Sequence, residues 1–67
     1  MSLVVLASSS NAAEEARARL CNQGYSAEAG TVGGASFVIV AGDGLDPAVA
    51  IVHARHADPG CRPVTAW

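Results

Sequence analysis

The chain has 67 residues, six acids against four arginines, no lysine and a formal net charge of −2. At 51% hydrophobic, mostly alanine and valine with single Phe, Tyr and Trp residues, it fits one domain with a thin core near the lower limit for independent folding. The charge excludes the basic stripe that neutralises nucleic-acid phosphates or an anionic membrane surface, and no run reaches the ~20 apolar residues of a membrane span.

The opening run SLVVLA (2–7), followed by SSSN, predicts a strand buried on both faces. It lacks a basic n-region, and its apolar run is shorter than the ~7–15 residues of a signal peptide's h-region, so the expectation is a soluble cytoplasmic protein. NAAEEARARLCNQG (11–24) predicts a helix, with Asn11 as N-cap and Glu14 completing a capping box. Ala12, Ala13, Ala16 and Leu20 share one face, and Glu15 and Arg19 are spaced to pair. Gly24 supplies the left-handed position after the last turn, and Tyr25 is placed to pack back on it.

YSAEAGTV (25–32) alternates imperfectly, as a half-exposed edge strand does, and Gly33–Gly34 marks a turn. ASFVIVA (35–41) predicts a second strand buried on both faces, and GDG (42–44) breaks it. LDPAVAIVHARHA (45–57) starts a helix with Asp46 as N-cap and Pro47 at the first helical position. DPG (58–60) ends that helix, and RPVTAW (62–67) is a final strand that Pro63 confines to an edge or to its first residue.

The order is therefore β-α-β-β-α-β. The Gly33–Gly34 link is too short for a parallel crossover, which needs a dozen residues or more, so the second and third strands form an antiparallel hairpin. Right-handed connections then give an α+β, ferredoxin-like βαββαβ two-layer sandwich: a four-stranded, mainly antiparallel sheet with two helices on one face. Strands apolar on both sides but helices on one leave a face that needs cover, and a second copy of the chain is the simplest candidate.

Two stretches resemble known families. ARHADPGCRPVTAW (54–67) looks like the region around the third helix and fourth strand of response-regulator receiver domains, and residues 2–30 look like the receiver's opening strand, helix and second strand. On that resemblance the acidic pair after the first strand is replaced by Ala7, Ser8 and Ser9, and the phosphoacceptor position falls near Ala41. Only Thr65 matches a functional hydroxyl, so the resemblance implies a receiver-like domain without phosphotransfer. SSSNAAEEARARLCNQGYSAE (8–28) and FVIVAGDGLDPAVA (37–50) are similar to the first helix, and to the third strand with second helix, of SPOR domains. Those are ferredoxin-like modules that bind peptidoglycan glycan strands, and that resemblance implies a glycan binder.

The residues that could carry chemistry each have a plain structural reading. Gly42 and Gly44 flank Asp43 between a strand and a helix, where a phosphate or cation can be held; equally, the glycines serve the turn and Asp43 stays solvated. His53, His56, Asp58 and Cys61 have a spacing that could gather zinc ligands, or the histidines sit on the helix flank near its C-terminal dipole. Without a secretion signal, Cys21 and Cys61 read as free thiols rather than a disulfide. Ser8 to Ser10 lack a positioned base and read as a helix-entry loop. No catalytic residue, metal or cofactor is therefore predicted. The expectation is a non-enzymatic interaction or regulatory module that pairs with itself or with another protein subunit, with no nucleic-acid or membrane partner. Its contact surface is predicted to be the open sheet face, through Val5, Val38 and Val40, together with the terminal aromatic Trp67. The alternative is a ligand-binding module, either a glycan binder or a small-metabolite sensor at a dimer interface.

Overall fold

β1 (Ser2–Leu6), α1 (Ser10–Asn22), β2 (Ser26–Val32), β3 (Ala35–Ala41), α2 (Pro47–Ala57) and β4 (Arg62–Ala66) follow in that order in the computed structural model, which describes residues 2–66. The strands form one sheet in the order β2-β3-β1-β4, with every neighbouring pair antiparallel. This is the expected ferredoxin-like arrangement. Its antiparallel β2–β3 hairpin is not the parallel sheet that the receiver resemblance implies.

The hairpin follows from its turn. Gly33 and Gly34 both have positive φ, 59° and 83°, and Val32 pairs with Ala35, so the loop has two residues. Two consecutive left-handed positions match the right-handed twist of the strands, and glycine adopts them without a steric penalty. The loop in turn sets the register, in which Glu28 lies opposite Ile39 and Gly30 opposite Phe37.

α1 begins one turn-fragment earlier than its capping-box pattern suggests. Ser9, not Asn11, is the N-cap, and its side chain accepts from the Ala12 N–H at 3.1 Å. Glu14 is then free to pair with Arg17 at 2.9 Å, which raises the Arg17 pKa, and the expected Glu15–Arg19 pair does not form. Ala13, Ala16 and Leu20 are buried as expected. The helix ends in a Schellman motif: Tyr25 N–H donates to Leu20 O, Gly24 N–H donates to Cys21 O, and Gly24 has φ 93°. Tyr25 packs partly buried against the core.

In α2, Asp46 caps the start by accepting from Ala48 N–H at 3.0 Å, with Pro47 in the first turn. The two helices lie side by side on one face of the sheet, and their buried residues are Ala13, Ala16, Leu20, Ala50, Ile51 and Ala54. Under them lie Leu3 and Val5 of β1, Ala27 of β2, and Val38 and Val40 of β3. The shortest dimension of the chain is 16 Å, room for one sheet and one helix layer, since such layers sit about 10 Å apart.

Candidate functional site

The first places to look are those that combine polar chemistry with burial. The loop after β3 is a turn: Leu45 N–H donates to Gly42 O at 3.2 Å, Gly44 has φ 68°, and Leu45 drops into the core. Asp43 is exposed, and Asp46 is engaged as the α2 cap. The turn therefore accounts for every residue of GDGLDP except Asp43.

The candidate zinc ligands point to different surroundings. His53 is half-buried beside Tyr25, with ring centroids 6.3 Å apart, and its Nδ1 has no hydrogen-bond partner. His56 is exposed and lines a shallow surface pocket of about 220 Å³ with Val52 and Arg55. Cys61 is buried, while Cys21 is exposed on α1, and both are free thiols. Among the described residues no group of three or more His, Cys, Asp or Glu side chains comes together.

Asp58 instead turns toward β1. It is 3% exposed, and its carboxylate accepts from Ser8 N–H at 2.8 Å, Ser8 Oγ–H at 2.6 Å and Gly60 N–H at 3.2 Å. Burial alone would push this carboxyl up, but the three donors outweigh burial and hold it below the ordinary value. Cys61 shows the opposite balance: burial, then the nearby Asp58 charge, pushes its thiol up and makes it a poor nucleophile. A Cβ at Gly60 would overlap Ser8 Oγ, so a side chain there would push that hydroxyl away from Asp58. The cluster is a clasp between the end of α2 and the exit of β1, and Ser8 is a donor to a carboxylate rather than an activated hydroxyl. It was not legible in the sequence, where Ser8 reads as helix entry and Asp58 as a turn. An acid closing a helix two residues before a glycine is the only local signal of it.

The sheet supplies an uncommitted apolar surface, and here the predicted residues need correction. Val5, Val38 and Val40 are each 0% exposed and lie on the helix-facing side, so they form the core and not the contact surface. The reason is parity: successive strand residues point to opposite faces, and uninterrupted apolar runs do not reveal which set faces inward. Trp67 lies outside the described residues. The face away from the helices carries the alternate set, with Val4 and Leu6 on β1 paired to Ile39 and Phe37 on β3. Ile39 is 50% exposed and the other three are half-buried. These four apolar residues occupy adjacent positions on the two central strands, with Val32, 73% exposed, at the hairpin end. The strands predicted as buried on both faces are thus buried on one and apolar on both.

Two charges frame this face. Glu28 on edge strand β2 is paired to Ile39, and Arg62 on edge strand β4 is paired to Leu6, so both share the open side. They are the only charged residues within the four strands. Both are exposed, and among the described residues neither forms an ion pair.

No protein-family model, no curated protein and no solved structure matches this chain. No helix among the described residues is long and apolar enough to cross a membrane.

Proposed function

We propose that this chain is a small, non-enzymatic interaction module that self-associates by packing the open face of its sheet against that of a second copy. The observation that carries this reading is the uncovered apolar block of Val4, Leu6, Phe37 and Ile39 on the two central strands. Contiguous apolar surface of this kind favours a partner, because water is released when it is covered. The size of the chain adds weight: a core built from Ala and Val supplies little stability alone, and association supplements it.

The available area is compatible with a reversible pair. The two longer dimensions of the backbone, 31 and 21 Å, put the face at roughly 650 Å² per copy, so two faces bring together on the order of 1,300 Å², near the lower end of stable interfaces. A pair of that size is expected to be reversible and concentration-dependent.

Sedimentation velocity on the unmodified chain and on Ile39→Lys tests the reading. The expected result is a concentration-dependent dimer for the former and a monomer with unchanged circular dichroism for the latter. A chain that stays monomeric at high micromolar concentration removes the proposal. So does a dimer indifferent to Ile39→Lys, which would point instead to pairing along the bare edge of β2.

A further inference from the structure

Glu28 and Arg62 sit at opposite edges of the open face, on β2 and β4, three strand spacings apart in the order β2-β3-β1-β4. At about 4.8 Å per spacing they are some 14 Å apart across the sheet, too far to meet within one chain. Two sheets related by a two-fold axis have two ways to face each other. With the axis across the strands, each strand lies over its own counterpart. Glu28 then comes within about one rung of a second Glu28, and Arg62 within one rung of a second Arg62. With the axis along the strands, β2 of one copy lies over β4 of the other. Each Glu28 is then offset by one rung, about 7 Å along the strand, from an Arg62 on the facing sheet about 10 Å away, a gap that two long side chains on the open faces can close. The first arrangement brings like charges together twice, and the second brings opposite charges together twice.

The same axis orders the apolar block. It lays Phe37 over the second copy's Leu6 and Ile39 over its Val4, to within the ~30° turn that aligned sheets adopt. The four contacts at the centre are each a larger residue against a smaller one, ringed by two opposite-charge pairs at the rim. We infer that two copies of this chain pack face to face about an axis parallel to the strands, with Glu28 of each copy reading Arg62 of the other. This inference rests on the self-association proposed above and specifies its geometry. The pairs at the rim set orientation while the apolar centre supplies affinity.

Charge reversal at two exposed positions, which leaves the core untouched, tests the geometry. Glu28→Arg and Arg62→Glu are made singly and together, with circular dichroism to verify the fold and sedimentation equilibrium at low salt to measure dimerisation. Each single reversal turns both rim pairs from attractive to repulsive, and about a tenfold weaker dimer is expected. The double variant restores two opposite-charge pairs and returns dimerisation to within about threefold of the unmodified chain. Single reversals that leave the dimer unchanged overturn the strand-parallel axis, because across-strand packing exchanges one like-charge contact for another. In that event the open-face reading stands and only its geometry fails. An unmodified chain that does not dimerise overturns both.

Discussion

Asp58 shows how one side chain can join two ends of a fold. It bonds Ser8 through both backbone and hydroxyl, fifty positions away in sequence. Hydrogen bonds to a buried charge are among the stronger ones, so Ser8→Ala is expected to lower unfolding free energy by about 2 kcal/mol in urea titrations. The acid dependence has a definite sign. Because the folded carboxyl titrates below its ordinary value of 3.8, its contribution is complete above that value and is lost as pH falls through the lower folded one. Urea midpoints measured from pH 6 downward should therefore decline for the native chain as pH drops below about 4. Asp58→Asn should start lower at neutral pH and decline less steeply. An Asp58→Asn variant with the same stability and the same acid slope would show that the clasp contributes nothing.

At the scale of single elements, caps decide boundaries and register decides faces. Ser9→Ala should cost about 1 kcal/mol because it removes the acceptor for Ala12 N–H. Asn11→Ala, at an exposed position inside α1, should stay within about 0.5 kcal/mol of the parent. Reversal of that order in denaturant titrations would restore Asn11 as the cap. Gly24→Ala places a side chain at φ 93° and should cost about 1–2 kcal/mol. The sequence made both helices, all four strands and the hairpin legible, because Gly24, Gly33–Gly34 and Asp46–Pro47 are strong local punctuation. It left the start of α1 ambiguous, since four consecutive polar residues, Ser8 to Asn11, can all serve as caps. The inner face of the sheet could be read only indirectly. The Gly-Gly loop pairs Glu28 with Ile39, and a carboxylate belongs outside, so Ile39 and Phe37 face outward and Val38 and Val40 inward. Burial patterns along β3 alone, apolar at nearly every position, could not supply that step.

For the molecule as a whole, the two sides of the sheet differ in kind although their composition is similar. Val38→Lys puts a charge beneath the helices, and loss of the circular dichroism spectrum is expected; neighbouring Ile39 accepts the same change with the fold intact. Leu20, the large buried side chain of α1, is a comparable test of the core: Leu20→Ala removes about 2–5 kcal/mol, which approaches the entire stability of so small a domain. Pairing of the faces links folding to association, so the melting temperature is expected to rise with protein concentration.

The register of the outer strands carries one more consequence. Leu3 pairs with Ala66 on neighbouring antiparallel strands, so the path of the described chain enters and leaves at one spot, about 5 Å apart. Such a unit can be spliced into a surface loop of another protein while parting its host by a single strand spacing. The insert would carry its apolar sheet face with it, and on the self-association proposed above a folded host so equipped is expected to pair.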